Sequence, residues 1–154
     1  MREWSNRATP IRVSPLMTSF MARRADCYVD TSALIAFLDR SDSYHPLFKR
    51  LFSDPPPLAT SALVIAEGHG WFLRRYDRRR AVHFLNFVHE LANLRIVAFD
   101  APEVERTSAV VKRFLDQSLT LADAHGLVVM SAHRIRTCWS TNRHLGLTGA
   151  TLVY

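Results

Sequence analysis

Cysteine, lysine and long apolar runs are the scarce features of this 154-residue chain. There are two cysteines, Cys27 and Cys138, both within strand-like apolar segments. They form no CxxC or zinc-ligand spacing, so they read as buried thiols in a reducing compartment, the cytoplasm. They would be neighbours in space if their strands pair. No stretch approaches the roughly 18 apolar residues of a membrane span, which excludes a helical membrane protein. Nor is there the apolar stretch of a secretory signal near the start. Lysine occurs only at positions 49 and 112, so the 20 basic residues are nearly all arginine. No internal repeat is visible.

Hydrophobic residues make up 48% and charged residues 22%, the balance of an ordinary globular domain with a sizeable core. The net charge of +6 is unevenly placed. Residues 1–25 carry Arg2, Arg7, Arg12, Arg23 and Arg24 against Glu3 alone, which leaves the rest of the chain only weakly basic. The basic balance is therefore not to be over-read as a nucleic-acid footprint of the folded part. Residues 1–25 also hold Pro10 and Pro15 and lack clean periodicity. They read as a disordered extension, or as an upstream start with initiation at Met17 or Met21; their arginine-rich, acid-poor character also suits a transit peptide. Residues 26–154 read as one domain.

From Asp26 onward strands and helices alternate. Short strands are expected at 27–29, 58–60, 95–98, 137–140 and 151–153. Helices are expected at 32–39, 44–53, 61–76, 78–92, 102–115 and 120–133. Pro55-Pro56-Pro57 breaks the chain, Ser61 caps a helix, and Pro102 suits a first helical turn. Thr120-x-x-Asp123 resembles a capping box. Ala81, Phe84, Leu85, Val88 and Leu91 fall at helical spacing. This alternation implies an α/β fold with a mostly parallel, roughly five-stranded sheet covered on both faces.

Three acidic residues stand on recognisable scaffolds. Asp30 ends the run Cys27-Tyr28-Val29, Glu67 lies inside the helix that opens at Thr60-Ser61, and Asp123 is in the first turn of a later helix. Strand ends and helix starts can converge above the carboxyl edge of a parallel sheet, where α/β folds bind ligands. Carboxylates gathered there repel one another unless a cation holds them, and a hard ion such as Mg²⁺ or Mn²⁺ suits oxygen donors. Each residue also has a plainer explanation. Asp30 could cap the next helix, Glu67 could be a solvated helix carboxylate, and Asp123 could serve the helix dipole. Thr141-Asn142 could be a turn. These explanations do not account for the combined order and spacing.

Four segments, in order, carry a family resemblance: Tyr28-Val29-Asp30-Thr31-Ser32-Ala33-Leu34; Thr60-Ser61…Glu67; Asp116…Leu119-Thr120-Leu121-Ala122-Asp123-Ala124; and Ser140-Thr141-Asn142-Arg143-His144-Leu145…Gly149. Together they resemble a PIN domain, most closely the VapC-type ribonuclease toxins of toxin–antitoxin pairs, over about Asp26 to Tyr154. The resemblance implies a three-layer α/β/α sandwich and a Mg²⁺- or Mn²⁺-dependent endoribonuclease that hydrolyses RNA with metal-activated water. It also implies an antitoxin partner, whose peptide enters the acidic groove, and a homodimer.

The family's acidic positions fall on Asp30, Glu67 and Asp123, as metal ligands and catalytic groups. Its fourth acidic position falls on Asn142, which brings no charge. Leu145 replaces the family's usual Phe, a packing change. Thr31, Ser32 and Thr141 are candidate supporting hydroxyls, alongside Asn142. Asn142 also motivates another reading, a degenerate PIN domain that binds RNA or antitoxin with little cleavage.

Arg74, Arg75, Arg78, Arg79 and Arg80 form a basic cluster around Tyr76 that could guide RNA phosphates or merely be a solvated helix end. His69, His125 and His144 read as structural or surface groups. Gly68 and Gly70 disfavour helix beside Glu67, which close packing against another helix or a partner would explain. Two other enzyme classes fit less well. A haloacid-dehalogenase-like phosphatase wants an Asp where Ser32 stands, and a response-regulator receiver wants a late-strand Lys that neither Lys49 nor Lys112 supplies.

Overall fold

A computed structural model describes residues 24–154. The expectations for residues 1–23 lie outside the described residues. The first described residues already join the domain: Ala25 is buried in the core, and Arg24 donates from Nη2 to the Arg134 carbonyl at 3.3 Å.

Five strands form one sheet: β1 (Cys27–Val29), β2 (Leu58–Ser61), β3 (Leu94–Val97), β4 (Thr137–Trp139) and β5 (Thr151–Val153). Their order is β3-β2-β1-β4-β5, and every pairing is parallel. Six α-helices accompany them: α1 (Thr31–Leu38), α2 (His45–Leu51), α3 (Ala62–Arg75), α4 (Arg78–Glu90), α5 (Ala101–Arg113) and α6 (Leu121–Ala132). A 3₁₀ turn spans Arg143–Gly146. The elements match the sequence expectations to within two residues, apart from this 3₁₀ turn. No described helix is long and apolar enough to cross a membrane.

Successive side chains of a strand point to opposite faces, yet all three residues of β1 are buried. The sheet is therefore covered on both sides at its centre, as the continuous apolar run implied. β1 is also where the strand order reverses. The crevice beyond the carboxyl ends of β1 and β4 is the switch point at which such sheets bind ligands. Asp30 follows β1 there, and Ser140-Thr141-Asn142 follow β4.

Helix starts obey the local rules. Ser61 caps α3 by accepting from the Leu63 N–H, Asp77 caps α4, and Asp100 caps α5. The α3–α4 hairpin closes on Gly68, where an added Cβ would lie 2.4 Å from Phe84 Cζ. Gly68 thus has the close-packing role expected of it. Gly70 does not, because a Cβ there would meet only the flexible tip of Arg74.

β1 and β4 do pair, but Tyr28, not Cys27, lies opposite Cys138. The one-residue offset turns the two thiols to opposite faces, and both are free and buried. Burial pushes the Cys27 thiol up to about 12 and Cys138 higher still, so both behave as inert packing groups.

Candidate active site

A pocket of about 200 Å³ opens at the switch point, lined by Asp30, Glu67, Asp123, Asn142, Thr31 and Ser32, with Ile35 and Trp71 as its apolar wall. All three acidic residues come together, and no lysine or arginine lines the pocket with them.

Asp30 sits at the N-cap of α1, yet its side chain makes no capping hydrogen bond. The capping explanation therefore does not account for it. Instead Oδ2 accepts from Ser32 Oγ at 2.9 Å and from Ser140 Oγ at 2.8 Å. Each of those hydroxyls also accepts a backbone N–H from the loop after β4: Thr141 N to Ser32 Oγ at 3.1 Å, and Asn142 N to Ser140 Oγ at 2.9 Å. Two serines thus fasten the loop carrying Asn142 to the carboxylate ending β1. Asp30 is only 5% exposed. Burial pushes its carboxyl above the usual range, the serine hydrogen bonds oppose this, and the Asp123 charge adds to it.

Glu67 projects from the second turn of α3 and stays solvent-accessible. Its Oε2 accepts from Thr31 Oγ1 at 2.7 Å, which ties α3 to the first residue of α1. Its carboxyl is also raised, first by desolvation and then by Asp30 and Asp123, against lowering by Thr31 and Arg74.

Asp123 is buried within the capping box anticipated from Thr120-x-x-Asp123. Thr120 N donates to Asp123 Oδ2 at 2.9 Å, and Asp123 N donates to Thr120 Oγ1 at 3.1 Å. The remaining oxygen, Oδ1, accepts from Asn142 Nδ2 at 2.8 Å. Asn142 Oδ1 in turn accepts from His144 N at 3.1 Å, an N–H that only the carbonyl end of the amide can face. That bond fixes the NH₂ group toward Asp123. Where the family has a fourth acid, this chain has a hydrogen-bond donor.

Among the supporting hydroxyls, Thr31 and Ser32 are engaged as described. Thr141 takes part through its backbone N–H; no hydrogen bond of its hydroxyl is seen. Ser140 belongs to the fourth motif but not to the expected supporting hydroxyls, although it is fully buried on Asp30. Its position directly after a buried strand, two residues before Asn142, is the signal that could have marked it. Trp71 was also missed; as Glu67 plus four it lies one helical turn along the same face.

His125, fully buried on α6, joins Ser61 Oγ through Nδ1 at 2.6 Å and faces Glu103 Oε2 from Nε2 at 3.3 Å. It braces the start of α3 against α5 and α6, the structural role expected of it. His144 Nδ1 lies 3.8 Å from Asp123 Oδ2, at the edge of the site. Leu145 is fully buried in the core, a packing group as read. The arginine cluster is exposed throughout, with Arg75 and Arg80 over the Tyr76 ring at 5.3 and 5.7 Å.

The donor set is suited to a hard divalent ion. It is all oxygen, the neighbouring charges raise the ionisation cost of Asp30 and Glu67, and no basic side chain lines the pocket to neutralise them. Among the described residues no three His, Cys, Asp or Glu side chains converge tightly enough to cage an ion by themselves. Mg²⁺ does not require such a cage, since it is usually held through one or two carboxylates with several waters retained.

The PIN domain family model matches residues 27–146. Ribonuclease VapC26 of Mycobacterium tuberculosis (strain ATCC 25618 / H37Rv) is 30% identical over 120 residues, covering 75% of this chain and 85% of the relative. Among solved structures, Mycobacterium tuberculosis VapC20, described as a Sarcin-Ricin loop cleaving toxin, superposes with a TM-score of 0.74 at 24% identity, covering 81% of this chain and 96% of the other. A toxin–antitoxin complex from Klebsiella pneumoniae superposes with a TM-score of 0.55 at 19% identity, covering 83% and 96%. With the parallel sheet, the acidic pocket at its switch point and these matches in agreement, the chain belongs to the PIN-domain family, among its VapC-type ribonucleases.

Proposed function

We propose that this protein is a divalent-metal-dependent endoribonuclease acting in the cytoplasm as the toxin of a toxin–antitoxin pair. The observation that carries the reading is the pocket itself: Asp30, Glu67 and Asp123 line it with no basic side chain among them. A bound Mg²⁺ or Mn²⁺ would supply an acidified water and neutralise charge developing on a phosphodiester. Asp30 and Asp123 would hold it directly or through water, with Glu67 completing the shell or orienting the water; Asp30 and Glu67 each have one carboxylate oxygen free of side-chain hydrogen bonds. Ser32, Ser140 and Thr31 keep the first two carboxylates oriented, and Trp71 and Ile35 limit water on one side. A cognate antitoxin that occupies this groove and a homodimeric assembly complete the proposal, supported by the kinship with VapC proteins.

One observation favours a second reading. Asn142 already occupies one oxygen of Asp123, so a degenerate site that binds RNA or antitoxin with little cleavage is the alternative.

Purified protein incubated with structured RNA across a Mg²⁺ and Mn²⁺ titration separates the two. Metal-dependent cleavage is expected, lost by more than about 100-fold in Asp30→Asn and Asp123→Asn, beyond the 10–100-fold typical of a supporting partner. Cleavage that survives both substitutions removes the site assignment. Wild type that neither cleaves nor binds metal establishes the degenerate reading.

A further inference from the structure

A second, larger pocket of about 620 Å³ lies at the other end of the same two helices. Its walls carry Arg40, Lys49, Arg80, His45, His83 and the Tyr76 ring. One carboxylate, Asp39, lines it, and that group is already engaged. It accepts from Ser41 Oγ at 2.6 Å, from Ser41 N at 3.0 Å and from Tyr76 Oη at 2.9 Å. Leaving the histidines aside, three cationic side chains face one satisfied anion.

The same two helices line both pockets. α1 begins at Thr31 in the acidic pocket and ends at Leu38 in the basic one, a rise of about 10 Å. α3 runs from Glu67 to its C-cap Tyr76, about 14 Å further along. An aromatic pair links them: Trp71 lines the acidic pocket, Tyr76 lines the basic one, and their ring centroids lie 6.0 Å apart in an edge-on arrangement. Tyr76 is 41% exposed and carries Arg75 and Arg80 against its ring. A basic groove with interleaved aromatic faces is the chemistry that holds a single nucleic-acid strand, with cations on the phosphates and bases on the rings. An acidic peptide would use the charges but make no use of the exposed aromatic surface beside them.

We propose that the Arg40–Lys49–Arg80 pocket is a backbone-phosphate subsite that holds an RNA strand a few nucleotides from the bond addressed at the acidic pocket. It rests on the RNA-cleaving reading above and makes that reading directional, since the strand lies along α1 and α3 from Asp30 toward Tyr76. It also divides the arginine cluster: Arg80 faces the pocket, whereas Arg74, Arg75, Arg78 and Arg79 do not line it.

The test measures binding in EDTA, so that cleavage plays no part. Fluorescein-labelled oligouridylates of two lengths are used, a dinucleotide and a strand of about ten nucleotides, within the span a single-strand groove covers. Lys49 and Arg80 are both exposed, so the Lys49→Gln/Arg80→Gln variant should fold, which its melting curve checks. It should bind the longer strand roughly 10- to 25-fold more weakly, about three- to fivefold for each exposed charge pair lost. The slope of log affinity against log salt should fall by about 0.7 per phosphate contact removed. The dinucleotide, with its single phosphate, should lose less than the longer strand, and Lys112→Gln on α5 should change neither.

An unaltered affinity and slope for the longer strand overturns the subsite while leaving the RNA reading intact. If the variant keeps its RNA affinity but loses binding to oligoglutamate that wild type shows, the pocket docks a protein and the inference falls. Wild type that binds neither oligonucleotide overturns the subsite, and the metal titration of cleavage then decides the RNA-cleaving reading separately.

Discussion

Replacing Asn142 by Asp tests the electrostatics of the acidic pocket without reference to any substrate. In the wild type, Asn142 Nδ2 donates to Asp123 Oδ1 at 2.8 Å. The substitution keeps the acceptor for His144 N but removes the donor and places a second carboxylate against Asp123. Losing a hydrogen bond to a charged group costs roughly 1.5–3 kcal/mol. Two carboxylates about 4 Å apart would add some 4 kcal/mol at an effective dielectric of about 20. Asn142 is only partly buried, so rotation or protonation of the new side chain relieves most of that repulsion. A net loss of about 2–3 kcal/mol is expected without metal. At roughly 2–4 °C per kcal/mol for a chain of this size, Tm falls by about 4–12 °C. Added Mn²⁺ should narrow the gap, because the new carboxylate gives the cation another oxygen. Tenfold tighter binding at saturation returns about 1.4 kcal/mol. Calorimetric melts with and without Mn²⁺ measure both effects. A variant that melts with wild type in EDTA would show that the Asn142–Asp123 bond carries no weight. A gap that Mn²⁺ leaves unchanged would refute a shared cation.

Two further predictions concern the scaffold. Gly68→Ala should destabilise by about 1–3 kcal/mol in urea titrations, because its Cβ collides with the buried Phe84 ring. Gly70→Ala should be neutral or stabilising by up to about 1 kcal/mol, because only Arg74 must shift and alanine favours the helix; the reverse ranking would mean that the α3–α4 contact is looser than described. Burial, the largest of several opposing influences that include Glu103, holds His125 below the ordinary 6.5, so the unfolded chain takes up its proton first. Its contribution is therefore present above pH 6.5 and is lost as the pH falls. The stability advantage of wild type over His125→Gln should then shrink below that pH, and a difference independent of pH would contradict a buried neutral imidazole.

Much of this protein is legible along the chain because the signals are local. The apolar run at 27–29 and the breaks at Pro55-Pro56-Pro57 and Pro102 depend on neighbouring residues, as does the capping box at Thr120–Asp123, and they placed the elements closely. The three acids were also legible, since strand ends and helix starts in an alternating α/β chain lead to one sheet edge. The 3₁₀ turn at 143–146 was not, because Asn142 and His144 close it within a loop that carries no helical periodicity.

What only the tertiary structure decided is where groups distant in sequence meet. The one-residue register between β1 and β4 turned Cys27 and Cys138 apart, and no local pattern encodes register between strands 110 residues distant. Folding also brought Ser140 onto Asp30, aimed the Asn142 amide at Asp123, and set Lys49 and Arg80 around one pocket. The sequence determined that three carboxylates would gather. Whether the fourth corner would be vacant, repulsive or a donor depended on which way one amide faces, and a hydrogen bond from His144 N, available only once the loop has closed, settles that.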